Sequence, residues 1–556
     1  MRFLPVQPHV VLVELDDLPH VLALLDALRS DPVDGIEELV PAARTLLVRF
    51  RPEVCSRARL IELLRARQGG AVARAAEGEL VEIPVHYDGE DLAEVADYLH
   101  LTPADVVRRH AGSIYTVAFT GFAPGFAYLA GGDPLLDVPR RKTPRTRIPA
   151  GAVGLAGVFS GVYPQASPGG WQIIGTTPLA MWDLSRQPPA LLQPGQRVRF
   201  VDMDAAGTGS ARSIPRAAAV QVTQAASPLS AVPTLPQARS VAEARAPAAA
   251  PASATAAAGF EVCQAGLQTL FQDGGRPGLA GMGVSASGAL DQGAFRQANR
   301  LVGNPVHLPV LETLACGLQL RSRGDSVVAV TGARVPLALT AADGTRWHAQ
   351  PDAPVALAAG DTLTLGLPTA GVRCYVAVRG GFAVAPVLGS CATDTLARLG
   401  PAPVAAGDLL AVMPPRPGQV VGDPDSAPPV LPTAQDCVVL DVLLGPRTDW
   451  FTPEAVARLA SSEWTVTPQS NRVGLRLAGE EPLVRACTGE LPSEGTPTGA
   501  IQVPPSGQPV LFLADHPLTG GYPVIACVAP HHLDLAGQIP VGARIRFCPL
   551  SALVVE

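Results

Sequence analysis

Lys142 is the only lysine among 556 residues, and it lies inside PRRKTPRTRIPAGAVGLAG, Pro139 to Gly157, the densest basic run of the chain. An ammonium is a compact point charge whose pKa moves on desolvation, whereas a guanidinium stays charged and offers a planar fork. A lysine that survives where composition has drifted to arginine is a candidate for catalysis; the alternative is one charge on a solvated loop. Arg140, Arg141, Arg145 and Arg147 beside it have the chemistry to clamp a carboxylate, bicarbonate or phosphate. Pro149, Gly151, Gly169 and Gly170 either bring backbone N–H groups toward such an anion or make ordinary barrel turns. Gln165 and Ser167 add polar side chains to this binding set.

A second set lies past the middle of the chain. Gln272, Asp273 and Arg276 flank a Gly-Gly turn, where Asp273 and Arg276 either contact a ligand or form a local ion pair. Asp291, Asn299 and Asn304 lie on or beside an expected helix. Asn471, Arg472, Glu494, Gln502 and Asp515 fall at strand ends, where polar groups converge on sites. With burial to raise its pKa, Glu494 or Asp515 would serve as general base on an amide N–H or a water. His86 and His110 read as hydrogen-bonded structural residues.

The elements that must position these residues come from a chain long enough for three or four domains. Net charge is -7, which disfavours nucleic acid as a partner. No secretory segment and no run of about 18 apolar residues appears, so a cytoplasmic protein without a membrane partner is expected. The nine cysteines include no CxxC pair, so reduced thiols and no structural zinc are expected. His531 and His532 are adjacent, a poor spacing for metal ligands. Residues 1–79 alternate strands and helices as a small α+β unit of split βαβ type, with LVEIPVHY read as its last strand. Residues 80–203 read as one helical stretch followed by an all-β barrel or sandwich, residues 204–258 as a flexible Ala/Pro/Ser-rich linker, and residues 259–556 as a second β-rich region.

Three segments recur in order on the two sides of that linker. PAGAVGL (149–155) echoes PTGAIQV (497–503), PGGWQIIG (168–175) echoes TGGYPVIA (519–526), and GQRVRF (195–200) echoes GARIRF (542–547). Three collinear matches imply a duplicated barrel, whose copies can face one another across a cleft.

TGFAPGFAYL (120–129), PRRKTPRTRIPAGAV, YPQASPGGW (163–171) and IIGTTP (173–178) resemble the allophanate hydrolase subunit 1 family, whose members are also called the B subunit of 5-oxoprolinase. TLFQDGGRPG (269–278), SGALDQGAFRQANRLVGN (287–304), SNRVGLRLAG (470–479), SEGTPTGAIQVPPSGQPV (493–510) and TGGYP (519–523) resemble its usual partner, allophanate hydrolase subunit 2, or the C subunit of 5-oxoprolinase. The same regions are similar to the carboxyltransferase part of urea carboxylase. The resemblance implies cyclophilin-like barrels in both halves. Ala152, Asn471, Val473 and Cys391 depart from the residues usual in these motifs; the missing arginine at Cys391 puts an anion contact there in doubt.

Three functions follow from the resemblance: the fused B and C component of an ATP-dependent 5-oxoprolinase working with magnesium and a separate A subunit, a biotin-dependent carboxyltransferase acting on urea or another amide, and a kinase-inhibitor-like binding protein. There is no MKM-type lysine to carry biotin and no GK[ST] of a phosphate-binding loop, so biotin is not attached to this chain. Substrate, ATP-binding half and oligomeric state stay open. If Lys142 donates to an anionic substrate group, Lys142→Ala lowers kcat/KM by the equivalent of about 2 to 4 kcal/mol and Lys142→Arg is only partly active. A change within twofold in both variants, with unfolding unaltered, assigns the lysine to a solvated loop.

Overall fold

The computed structural model describes residues 1–68, 80–141, 143, 145–204, 259–424 and 429–550. Lys142 and residues 205–258 of the expected linker lie outside them. The chain begins with a hairpin, Arg2–Gln7 against Val10–Glu14, followed by helix Leu18–Ser30, strands Ile36–Pro41 and Thr45–Phe50, and helix Arg57–Ala66. Asp17 caps the first helix by accepting the His20 N–H, and Ser56 caps the second by accepting that of Arg59. Strand Thr45–Phe50 inserts antiparallel between Val10–Glu14 and Ile36–Pro41, which is the split βαβ arrangement expected.

Two features of this unit differ from the sequence reading. Its edge strand is Arg2–Gln7, which Pro5 conceals, since a proline argues against a strand interior and is tolerated at an edge. Leu80–Val85, expected as the unit's last strand, instead runs parallel to Arg197–Asp202 in the next sheet.

Successive side chains of a strand point to opposite faces. Val11, Val13, Leu46 and Val48 therefore meet the helices, through Leu24, Leu28, Leu60 and Leu64. Leu4, Val6, Val10, Leu12 and Leu47 point the other way, onto Ala500, Val510, Phe512, Val524 and Cys527 near the far end of the chain. The near-continuous apolar run VVLVE is the signature of a strand covered on both sides.

The first barrel orders its strands Gln172–Thr176, Ala152–Ala156, Phe159–Val162, Ala127–Ala130, Ile114–Thr120, Arg197–Asp202 and Leu80–Val85. A bridge between His86 and Thr176 joins its two ends. The second barrel is closed, with the order Val524–Val528, Ala500–Gln502, Val510–Phe512, Gly474–Ala478, Trp464–Val466, Arg544–Pro549 and Cys437–Leu444. Each echoed segment occupies the same stave in both barrels, and the parallel pair Leu80–Val85/Arg197–Asp202 matches Cys437–Leu444/Arg544–Pro549. A two-stranded ribbon accompanies each barrel, Arg145–Ile148 with Ser167–Gly169 and Glu494–Gly495 with Thr519–Gly520.

Between the barrels in sequence stands a third β unit that the reading of 259–556 as one region did not separate. Its six-stranded and five-stranded sheets close over Phe260, Leu311, Leu320, Val330 and Val376. Helix Gln292–Leu301, capped by Asp291, packs Phe295, Ala298 and Leu301 against Val310, Ala329 and Tyr375.

Leu12 is fully buried between the sheet and the second barrel. Leu12→Ala is expected to cost about 2 to 5 kcal/mol, the range for emptying a packed leucine site. An unshifted urea transition would show that this face of the sheet adds nothing to stability.

Candidate functional site

The basic run crosses the seam between the two barrels. Arg140 Nη2 donates to Ser493 Oγ at 3.2 Å, and a Cβ placed on Gly521 would sit 2.7 Å from Arg140 Nη1. Gln502 holds the same turn through the Tyr522 carbonyl at 3.0 Å, and a Cβ on Gly520 would collide with its amide nitrogen at 2.5 Å. The structure thus brings together Arg140 from one half and Ser493, Gln502 and the glycines of TGGY from the other.

Arg141 and Arg145 behave differently. Arg141 Nη1 and Arg145 Nη2 both donate to Asp91 Oδ1 at 2.6 Å, while Arg145 Nη1 and the Ile173 N–H occupy Asp91 Oδ2 at 2.9 and 2.7 Å. Glu90 and Glu94 complete the set. The reading of these two arginines as free anion clamps is corrected: a buried aspartate has taken their charge. The hydrogen bonds that Arg145 donates to Asp91 raise its pKa further.

Beside this tether lies a cavity of about 520 Å³ lined by Glu94, Val95, Tyr98, Val138, Pro139, Arg140, Arg141, Thr143 and Gln172. Thr143, next to the sequence-predicted Lys142, is part of that lining. Gln172 is buried; its Nε2 donates to the Pro139 carbonyl at 3.3 Å, and its Oε1 has no partner among the described residues. Gly151 has φ +81°, and a Cβ there would fall 2.4 Å from the Thr177 carbonyl oxygen, so this turn requires glycine. Gly169 packs on the Tyr163 hydroxyl, and the Gly170 carbonyl accepts the Arg141 N–H at 2.7 Å. Gln165 reaches Leu396 O in the other half at 3.3 Å, and Ser167 Oγ is buried with no partner among the described residues.

Glu494 sits elsewhere on the seam. Arg447 Nε donates to both of its oxygens at 3.0 Å, and Arg447 Nη2 reaches Glu14 of the N-terminal sheet at 2.6 Å. These residues line a second pocket, of about 240 Å³, with Arg2, Arg44, Asp449 and Trp450. Desolvation pushes the Glu494 pKa up, with Arg447 opposing.

The remaining predicted residues gather in a buried network in the second half. Asp515 accepts from Ser287 Oγ at 2.6 Å, Thr395 N at 2.8 Å, Thr395 Oγ1 at 2.7 Å and Arg472 Nε at 3.0 Å. Arg472 also pairs with Glu312, which Tyr375 and the Leu290 N–H hold in place. Despite desolvation, Arg472 holds the Asp515 pKa below the ordinary value. The expectation that burial would make Asp515 a general base is therefore corrected: it is a saturated internal anion.

Asp273 and Arg276 do not pair. Asp273 accepts from Gly275 N, Ser390 Oγ and Cys391 N at 2.8, 2.6 and 2.6 Å. Arg276 donates to the Ala392 carbonyl, and its buried Nε and Nη1 have no partner among the described residues. Gln272 is likewise buried, its Nε2 on the Thr393 carbonyl at 2.8 Å. Asn471 is exposed and closes its own turn through the Val473 N–H, so it does not join the network. Asn299 and Asn304 bond one another and nearby carbonyls. His110 is buried between Tyr87 and Ser160, as a structural histidine should be.

Sequence reasoning missed Asp91, Gln172, Glu312, Arg373, Asp394 and Arg447. Only Gln172 carried a signal: it aligns with Pro523 in the echoed segments, a polar group where the duplicate has none. The dismissal of His531 and His532 also needs correcting. Ligand atoms of both and of Asp441 lie within 4.8 Å of one another, although the Asp441 N–H already donates to His532 Nδ1. Among the described residues no helix is long and apolar enough to cross a membrane.

A family model for the carboxyltransferase domain, subdomain C and D, matches residues 1–192, and one for subdomain A and B matches 282–549. The 5-oxoprolinase C subunit of Escherichia coli K12 is 37% identical over 304 residues, 52% of this chain and 91% of that protein. The 5-oxoprolinase B subunit of Escherichia coli O157:H7 is 41% identical over 178 residues, 32% of this chain and 82% of that protein. The urea amidolyase of Saccharomyces cerevisiae is 33% identical over 310 residues, 52% of this chain but 16% of that protein. The crystal structure of TTHA0988 superposes with a TM-score of 0.77 at 36% identity, covering 97% of this chain and 99% of that one. The chain belongs to the carboxyltransferase-domain family that includes the B and C subunits of 5-oxoprolinase, and it carries the B-like and C-like parts in one polypeptide.

Asp394 offers a test of the buried network. It accepts from Ser285 Oγ and from the Leu396 and Ala397 N–H groups, and burial with the nearby Asp515 charge raises its pKa to about 6. The folded state therefore binds this proton more tightly than the unfolded chain, so the contribution of Asp394 to stability is present near pH 4 and lost as pH rises through about 6. Asp394→Asn should flatten that dependence and be roughly 1 to 3 kcal/mol more stable at pH 7 relative to wild type than at pH 4. Parallel unfolding profiles for the two proteins from pH 4 to 7 would refute this.

Proposed function

We propose that this chain is the fused B and C component of an ATP-dependent 5-oxoprolinase, opening the lactam of 5-oxoproline to glutamate with a separate A subunit. The observation that carries this reading is coverage. One chain spans 82% of a 5-oxoprolinase B subunit and 91% of a C subunit, against 16% of a urea amidolyase.

Opening an unstrained lactam lies near equilibrium, so coupling to ATP, with magnesium, gives the reaction its direction. Phosphoryl transfer from ATP to the lactam oxygen activates the carbonyl and releases ADP; one water adds and the C–N bond breaks as the nitrogen takes up a proton, leaving an acyl phosphate that a second water cleaves to the carboxylate and phosphate. Arg140, at the seam with Nη2 on Ser493, is a cation for which no carboxylate partner is found among the described residues. Glu494 is the better general base of the two carboxylates considered, because burial raises its proton affinity while Asp515 is held ionised by Arg472.

The carboxyltransferase reading is kept as the second, on the strength of the matching domain models. It requires biotin carrier and carboxylase proteins on other chains. Mixing the purified chain with an A subunit, ATP and 5-oxoproline should release glutamate, with none from the chain alone. No glutamate from the mixture, together with consumption of carboxybiotin in the presence of urea, would decide for carboxyl transfer.

A further inference from the structure

Asp441, His531 and His532 cluster on the outer face of the second barrel, and none of them lines either cavity. Strand Cys437–Leu444 turns Val438, Leu440 and Val442 into the core and leaves Asp441 half-buried outside it. The turn Pro530–His532 is stitched to that strand: the Ala529 N–H donates to the Asp441 carbonyl at 2.8 Å, and the Asp441 N–H donates to His532 Nδ1 at 2.8 Å. His532 is thereby the acceptor at Nδ1, with its proton on Nε2. Burial, and then the neighbouring His531, lower its pKa and keep the ring neutral. His531 has no such duty, and its Nε2 lies 2.9 Å from Asp441 Oδ2.

Strand pairing brings a further donor. Arg544–Pro549 runs parallel to Cys437–Leu444 with Cys548 opposite Asp441. Paired positions share a face and adjacent strands lie about 4.8 Å apart, so rotation about χ1 carries the exposed Cys548 thiol to the Asp441 carboxylate. Arg546, on the same face, is drawn away by Glu463 at 2.8 Å. An imidazole nitrogen, a carboxylate and a thiolate together suit a borderline-soft divalent cation in tetrahedral surroundings. No CxxC is needed, because three segments distant in sequence supply one ligand each.

We propose that His531 Nε2, the Asp441 carboxylate and Cys548 Sγ bind one zinc-type cation, with water in the fourth position and His532 positioning Asp441. The Cys548 thiol proton passes to solvent as the sulfur–metal bond forms. Bound there, the cation ties the first and last strands of the barrel to the turn between them and stabilises the folded chain. The segment after that turn also holds the sandwich helix, through Asp534, which accepts the Gln292 and Gly293 N–H groups at 2.9 and 3.0 Å.

The test titrates the full chain, reduced and without a polyhistidine tag, with Zn²⁺ alone by calorimetry and with Co²⁺ alone by absorption. One equivalent of Zn²⁺ should bind and raise the unfolding temperature. Co²⁺ should give a near-ultraviolet thiolate charge-transfer band together with the visible bands of a tetrahedral ion. Cys548→Ser should lose the charge-transfer band, while Cys487→Ser, which removes another exposed thiol, should keep it. His531→Asn and Asp441→Asn should each bind Zn²⁺ at least about tenfold more weakly, since even outer-shell changes cost about 10–100-fold. His531 and Cys548 are exposed, so their variants should match wild type in metal-free unfolding, which keeps the comparison free of folding defects. Absence of Zn²⁺ binding, a charge-transfer band that survives in Cys548→Ser, unchanged affinity in His531→Asn, or binding seen only with dimerisation on size-exclusion chromatography would overturn the proposal.

Discussion

The N-terminal sheet buries apolar side chains on both faces, and everything at the seam depends on the second of those burials. Helices cover one face from within the same unit, as in any small α+β domain. The other face is closed largely by strands that lie some 500 residues further on, through Val10 and Leu12 against Ala500, Val510 and Val524, with Ala280 added from the middle of the chain. Each such side chain contributes about 1.5 to 3 kcal/mol when removed from water. That contact fixes the second barrel relative to the N-terminal unit, and so sets Glu14 against Arg447. Further along the seam, Thr120 bonds the Ala280 carbonyl and Arg140 meets Ser493. Polar contacts of this kind are geometrically exacting and weak when solvated, so they follow from the apolar packing and do not cause it.

Inside the second half the order of cause is reversed. Arg472, Arg373, Glu312 and Asp515 are all buried, and charges in that position are tolerated only when each is matched and hydrogen-bonded. They join loops from the sandwich, at Ser287 and Thr395, to loops from the barrel, at Arg472 and Asp515. Removing one member would strand the others, which makes this network a device for specifying one docking of sandwich on barrel.

The duplicated barrel was legible because its signal is local: turn glycines, β-branched strands and three motifs in fixed order, which the structure places on matching staves. The split βαβ core was legible for the same reason, through the short apolar runs in HVVLVEL and TLLVRF. The edge strand Arg2–Gln7 was not, since Pro5 masks it. The partners of Arg141 and Arg145 were not either, because Asp91 lies 50 residues before Arg141 and joins it only when the barrel closes. Glu494 and Asp515 looked alike in sequence, as carboxylates at strand ends. Their environments separate them, and environment is a property of packing that no single sequence displays.

Both barrels and the sheet they hold are parts of one polypeptide, while the B-type and C-type relatives are named as separate subunits of 5-oxoprolinase. Separate partners must find each other by mass action, so their assembly varies with dilution and with unequal expression. Halves that share a chain meet at an effective concentration set by their connection, in a stoichiometry of one to one. An interface relieved of that demand need not be as adhesive as an obligate dimer's. This one accordingly mixes its apolar patch with half-exposed ion pairs such as Arg2–Asp449, and keeps two cavities at or beside the join instead of packing it solid.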